Sequence, residues 1–599
     1  MTLRGVRRSH AVVAALAAGA LALSGCSSGS ENTDSQQDDK KKAAEQQAQI
    51  PFGDAKASTG PAPEVKGAQE GGTIPVMQRD SYAHLDPGQI YVSDEGALAR
   101  LIHRGLTGYK ADFNGKQTLV GDLATDSGKP SDGGRTWTYT LKDNIKWADG
   151  TDITSKDVRH TFERQFAEFI NDGPVYIQQW LANVPGTEYR ELLPDGPYKG
   201  DHLPDSILET PDDKTIVFKF KDPKPDLPYA LAMPGYSMVS EAKDTQEKYD
   251  KDPMTAGPYK IESFKTGKSM TLVKNEHWDP ATDSTRNAYP DKYEISFNIQ
   301  FETSAERLMA DKGVNKNSIS FTNNVDAATL PKLNKDAEAQ KRSVNGYQPY
   351  VAQMAINMDR VKNKKVREAI AYALPIQPYQ QAFGGPQGME LAGGLISPTV
   401  SGYEEGFDPF GKLKKPLGDP AAAKKILEEA GETGYKLTWG YINTPEGQNY
   451  SPTMEKTLEE AGFDVQRKEI AAETYYDQIG LVDNKFDIYV SAWGADWPSA
   501  STVVPPLYDG RQIQDGASNY SHTNDEHINS EIDRIQKITD PAEAAKEWNK
   551  LSQYVVEDLI SNIPMTYYKQ IQLYGSNIGG VQYDDVIGDI DLRKIYLKQ

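Results

Sequence analysis

From Gly71 to its end the chain interleaves two hydrophobic periods, and this constrains the fold more than any other feature. Thr136 to Leu141 (TWTYTL), Thr215 to Phe220 (TIVFKF) and Ser269 to Val273 (SMTLV) alternate with period two and read as strands. Ser155 to Phe166, Asn363 to Leu374, Asp419 to Ala430 and Asp540 to Leu559 carry helical spacing. Each opens on Ser, Asn or Asp, whose side chains accept from the free N–H groups of a first turn. Asp419-Pro420 and Asp540-Pro541 also put proline at the first helical position, where its missing N–H costs nothing. Strands and helices mixed along the whole length predict an α/β fold, and 599 residues are too many for one core, so more than one lobe is expected.

The first 26 residues follow another logic. Arg4, Arg7 and Arg8 precede an apolar run, Ala11 to Leu23, and then Leu23-Ser24-Gly25-Cys26. A basic start, a short apolar stretch and small residues before a cut site read as a secretory signal, residues 1–25. The run is too short for a permanent span, which needs about 20 residues. Cys26 is the single cysteine, so neither an internal disulfide nor a cysteine-based metal site is possible. The tetrapeptide resembles the bacterial lipobox. That resemblance implies acylation of Cys26 and a lipid anchor holding the protein to the outer face of the cell membrane. Residues 26–70, with almost no large apolar side chains, read as a disordered linker between lipid and folded body.

A net charge of −20 disfavours nucleic acid as a partner. Catalytic signatures are missing: there is no G-x-S-x-G, phosphate loop, dinucleotide fingerprint or H-E-x-x-H. The eight histidines are scattered, and the nearest pair, His522 and His527, reads as solvent-exposed. No cofactor or metal is expected. Acidic residues are abundant enough for a carboxylate pair to sit in a cleft without a sequence sign, which leaves a surface-anchored hydrolase open.

A series of segments, in order, resembles the family 5 extracellular solute-binding proteins, the peptide and oligopeptide receptors of ABC importers. They are Gly71-Gly72-Thr73 with Leu85-Asp86-Pro87; Ile102 to Leu106 (IHRGL); Asp122-Leu123-Ala124 followed by Thr136 to Arg164; Thr255 to Tyr259 (TAGPY) with Leu272 to Asn275 and Trp278; Asn357 with Val366 to Ile370 (VREAI); Phe486-Asp487 with Ser491 to Asp496 (SAWGAD); and Ile563-Pro564-Met565 with Asp591-Leu592. The resemblance covers about Gly71 to Lys598. It implies a two-lobed, periplasmic-binding-protein-like fold of type II with an extra subdomain, closing on its ligand by a hinge. The first lobe is expected at 71–349, with the subdomain at about 106–212. The second is expected at 350–568, and 569–599 return to the first.

The same resemblance implies that Asp496 pairs with a ligand's free α-amino group. It implies further that Trp493 offers a flat wall, that backbone near Ala495 meets a peptide main chain, and that Tyr91, Ser93, Tyr350 and Tyr568 fall near ligand. Expected partners are a peptide or other small solute and the permease and ATPase subunits of an importer, with the protein itself a monomer. A non-peptide solute such as an oligosaccharide, metal chelate or opine-like compound stays open, as does a peptide-sensing role. Three features depart from the family. Trp497 stands where many relatives have tyrosine. Gly480 to Ser491 offers only Lys485 where some peptide receptors carry an arginine for the ligand carboxylate, and lysine lacks the bidentate fork. The stretch from Asn171 to Pro211 has no counterpart.

Overall fold

The computed structural model describes residues 50–184 and 186–598. The signal segment, Cys26 and the start of the expected linker lie outside them. The architecture is α/β and two-lobed. In the first lobe, strand Thr73–Met77 points Ile74 and Val76 into a core and pairs in parallel with Lys292–Ser296. The sheet continues antiparallel through Ser269–Lys274 to Tyr259–Lys265. Helix Ser93–Ile102 adds Leu98, Leu101 and Ile102 to this core, and residues from the chain end, Ile578, Ile590, Ile595 and Leu597, complete it.

A separate antiparallel sheet orders Lys129–Ser131, Thr136–Thr140, Thr215–Lys219 and Leu208–Glu209. Its alternation is the one expected: Trp137, Tyr139, Ile216 and Phe218 are buried and their neighbours are not. Phe162, from helix Ser155–Arg164, meets Phe218 edge to face at 5.0 Å. The helix is capped by Thr154, not by Ser155 as expected. Thr154 and Asp157 form a reciprocal capping box, while the Ser155 hydroxyl donates to the Asp212 carbonyl at 2.5 Å. At the helix end Arg164 is buried; it grips Asp86 with both terminal nitrogens and reaches Asp244 with Nε at 3.1 Å. This clamp fixes the Asp86 turn that leads into Tyr91 and Ser93.

The second lobe is built on a six-stranded mixed sheet in the order Met389–Leu391, Asn562–Leu573, Ser343–Ile356, Ile488–Gly494, Lys436–Asn443, Asp464–Ala471. Helices Lys364–Ala373, Pro420–Ala430 and Pro445–Glu460 cover it around Trp439, Ile370, Met454 and Leu458. The expected caps are in place. Asn363, Asp419 and Asp540 accept from the N–H groups of Lys365, Ala422 and Glu543 at 2.9, 3.1 and 2.9 Å. The helix after Asp540 runs Pro541–Tyr554 and then widens into a π-helical turn, Val555–Leu559. It packs Trp548 against Ile528 and Ile532 of helix Glu526–Ile535.

The two longest strands, Ser343–Ile356 and Asn562–Leu573, form an antiparallel ribbon between the lobes. At one end Ile571 and Leu573 pack with Met77 of the first lobe; at the other Met354, Ile356, Ile563 and Met565 lie in the second-lobe core. The ladder between them loses register between Tyr347 and Val351.

Two expectations are corrected. The linker was expected to run to residue 70, yet Ile50 onward is docked on the first lobe. Leu119 donates to Pro51 and accepts from Gly53 at 3.0 and 2.7 Å, Ser58 Oγ accepts from Gly121 at 2.9 Å, and Val65 donates to the Tyr289 hydroxyl at 2.9 Å. Backbone hydrogen bonds and the buried side chains Ile50 and Ala62 hold this segment, with the Phe52 ring 5.2 Å from Tyr229, so its scarcity of large apolar residues did not leave it loose. His522 was expected at the surface. It is 5% exposed, with Nδ1 2.9 Å from Asp359, whereas His527 is exposed beside Tyr554.

Candidate ligand-binding cleft

Strand Ile488–Gly494 carries the second lobe toward the first. Gly494 stands opposite Tyr350 in the ladder, and a Cβ there would lie 2.6 Å from the tyrosine ring, so only glycine admits this pairing. The chain then turns sharply. Ala495 N–H donates to the Pro349 carbonyl at 3.1 Å and Asp496 N–H to Thr502 Oγ1 at 3.1 Å, while Ser499 caps the turn Ala500–Thr502. The turn projects Asp496 and Trp497 into the first lobe. Trp497 is 3% exposed and sits in the subdomain core, its ring 4.8 Å from Tyr176 and 6.1 Å from Trp180.

Asp496 Oδ2 accepts from two phenols of the first lobe, Tyr91 at 3.1 Å and Tyr176. Among the described residues Oδ1 takes no hydrogen bond. The carboxyl is ringed by protein yet keeps access to the cleft. Burial pushes its pKa up to about 6, with the two phenols acting in the other direction. Tyr176 is itself raised by burial and by the Asp496 charge. A carboxylate half-buried between two lobes, with one oxygen free of protein donors, can accept from a cation.

The other residues expected at the site surround this acid. Trp493 forms part of a cavity wall and donates its Nε1 to the Thr502 carbonyl at 2.7 Å. Ala495 is at the site, but its N–H is committed to Pro349, so the expected main-chain contact cannot use that group. Tyr350 and Tyr568 lie ring to ring at 5.9 Å, and Ser93 of the first lobe stands beside Tyr350, whose phenol burial pushes above its ordinary value. Lys485 is not brought in: its side chain is 76% exposed and pairs with Asp483 at 3.4 Å.

Two residues were missed. Helix Tyr176–Ala182, in the stretch from Asn171 to Pro211, supplies Tyr176 to Asp496 and Trp180 to the cavity. The stretch is tied down by Arg190, whose guanidinium donates to the carbonyls of Phe166, Ala167 and Ile170. Tyr and Trp four residues apart share one helix face, which is the sequence signal that was available. A second link between the lobes was also invisible: Ser501 Oγ donates to Asp226 at 2.5 Å. Burial raises the Asp226 carboxyl.

Beside this junction lies a cavity of about 830 Å³. Tyr91, Tyr176, Trp180, Lys224 and Asp226 form its first-lobe side; Trp493, Trp497, Ser501 and Trp548 form its second-lobe side; Phe52 of the docked N-terminal segment borders it. Its size falls in the range of small-molecule sites, roughly 300–1,000 Å³. Among the described residues no group of His, Cys, Asp and Glu has metal-binding geometry.

Comparison with known proteins agrees with the two-lobed fold. The family model "Bacterial extracellular solute-binding proteins, family 5 Middle" matches residues 118–515. The chain is 24% identical over 490 residues to the probable D,D-dipeptide-binding periplasmic protein DdpA of Escherichia coli K12, covering 79% of this chain and 84% of that protein. It is 23% identical over 518 residues to the glutathione-binding protein GsiB of the same organism, covering 85% and 91%. Among solved structures it resembles the clavulanic acid biosynthesis oligopeptide binding protein 2, with a TM-score of 0.80 and 27% identity over 92% of this chain and all of that one. It also resembles the periplasmic binding protein DppA of Helicobacter pylori in complex with the peptide STSA, with a TM-score of 0.67 and 19% identity over 89% and 99%.

Proposed function

The chain belongs to the bacterial extracellular solute-binding proteins of family 5, and on that premise we propose that it captures peptides by their free α-amino group and delivers them to an ABC importer. One observation carries this reading. Asp496 stands where the two lobes meet, its charge disfavoured by burial and its Oδ1 without a protein donor. An ammonium placed there gains a charge-assisted hydrogen bond and supplies the counter-charge that the cleft lacks. A ligand held by Asp496 from one lobe and by groups beside Tyr91 and Tyr176 from the other binds the closed arrangement better than an open one, and so shifts the population toward it. The permease would read that closed shape, and no bond is made or broken. Relatives named for D,D-dipeptide and glutathione binding, and a structural neighbour holding a tetrapeptide, support a peptide-sized solute.

Under the same proposal Cys26 carries the lipid that keeps the receptor at the outer face of the cell membrane, and the protein acts as a monomer alongside permease and ATPase subunits. Asp496 favours this reading over a sugar receptor, which more often relies on aromatic stacking and neutral hydrogen bonds. The test is retention. The purified protein is exposed to mixed pools of peptides, oligosaccharides and metal chelates, and the bound species are identified by mass spectrometry. Peptides with free amino termini are expected. Retention of sugars or chelates with no peptide overturns the proposal.

A further inference from the structure

The cavity beside Asp496 is larger than an amine needs, and its walls select what accompanies that amine. Tyr91 and Tyr176 both bond the Asp496 carboxylate and both line the cavity, so a group one side chain away from a bound ammonium enters it. Of the five tryptophans that line it, Trp137, Trp497 and Trp548 are buried in the surrounding cores, while Trp180 and Trp493, each half-buried, stay partly open to it together with Tyr91 and Tyr176. Trp180 and Trp497 already stand edge to face at 6.1 Å, the geometry in which a third ring adds favourably.

The two charges inside do not invite a charged guest. Lys224 Nζ lies 5.6 Å over the Trp180 ring and Asp226 accepts from Ser501, so each is already engaged and together they leave no net charge to draw a charged side chain. A small aliphatic group would touch few of these walls and remove little apolar surface from water.

We infer that the ligand carries a large, uncharged aromatic group next to its free amine, so that the preferred peptides begin with tryptophan or another big aromatic residue. This rests on the peptide reading above and narrows it to a substrate class. Titration calorimetry on the purified protein with Trp-Ala-Ala, Ala-Ala-Trp, Lys-Ala-Ala and Ala-Ala-Ala tests it. Trp-Ala-Ala is expected to bind at least about tenfold more tightly than each of the other three, in keeping with what a well-filled apolar pocket discriminates. Trp180→Ala is expected to narrow the ratio of Trp-Ala-Ala to Ala-Ala-Ala to within about threefold, and Trp180→Phe to narrow it less. Equal affinities for all four peptides on the unaltered protein overturn the inference by themselves and leave the peptide reading standing. So does a preference that survives Trp180→Ala in a folded variant. Failure of every peptide to bind overturns both.

Discussion

Replacing Asp496 by Asn keeps the shape of the site and removes its charge. The amide oxygen still accepts from Tyr91 and Tyr176, so the turn and the lobe contact are preserved. The loss is the ion pair with the ligand. Stripping one partner from a fully buried pair costs about 3–5 kcal/mol. Asp496 is only half-buried, which places the expected cost below that range, about 2–3 kcal/mol, or roughly 30- to 150-fold in Kd. An N-acetylated peptide has no ammonium to lose, so its weak affinity should change less than about threefold.

Calorimetry at pH 7 with a free-amine peptide and its N-acetyl counterpart measures both. The pH profile adds an independent check. Asp496 is raised to about 6 in the free cleft, and binding needs the carboxylate, so affinity should fall by about tenfold per unit as pH drops below 6. It should fall again above about 8, where the α-amino group loses its proton. The Asn variant should lack the acidic limb. Equal losses for both peptides, or an acidic limb that persists in the variant, would refute the pairing of Asp496 with the amine.

Three further outcomes are expected. Tyr176→Phe removes a donor that holds the Asp496 pKa down, so the acidic limb of the binding profile should move to higher pH; an unmoved midpoint would deny the phenol that role. Arg164→Met leaves Asp86 and Asp244 buried without their counter-charge and should cost about 3–5 kcal/mol in urea unfolding at pH 7. Asp244 bears on stability in acid as well. Burial opposes its charge, but the His160 hydrogen bond and the Arg164 charge outweigh it and hold the carboxyl at about 2. Its folded pKa is depressed, so its contribution is complete above the ordinary carboxylate range and should be lost as pH falls from about 4 toward 2; a variant with the same acid sensitivity as the parent argues against the Arg164 part. Cys26→Ala should move the protein from the membrane fraction to the soluble one on cell fractionation, and unchanged sedimentation with membranes would exclude the lipid anchor.

What could be read from the sequence depended on how local each cause was. The strands around Trp137 and Phe218 announced themselves because one face is buried and the other is not, and the helices after Asn363, Asp419 and Asp540 because their caps are adjacent in the chain. Thr154 displaced Ser155 as a cap because adjacent hydroxyls offer the same chemistry and only the backbone angle chooses between them. Asp496 was legible through the loop around it. Its partner Tyr176 was not, because the two are 320 residues apart and meet only when the lobes do. The docked segment from Ile50 was hidden because the groups holding it are largely backbone ones, which every residue type carries.

The interruption between Tyr347 and Val351 has a mechanical consequence. A ladder that skips pairings bends there more easily than where it is continuous. The skipped stretch contains Pro349, whose carbonyl holds the turn bearing Asp496, and Tyr350, whose ring rests on Gly494. If the halves swing at this interruption and a guest is held as proposed, fulcrum and contact surface would be the same few residues, and a guest settling against Tyr350 would push directly on the pivot.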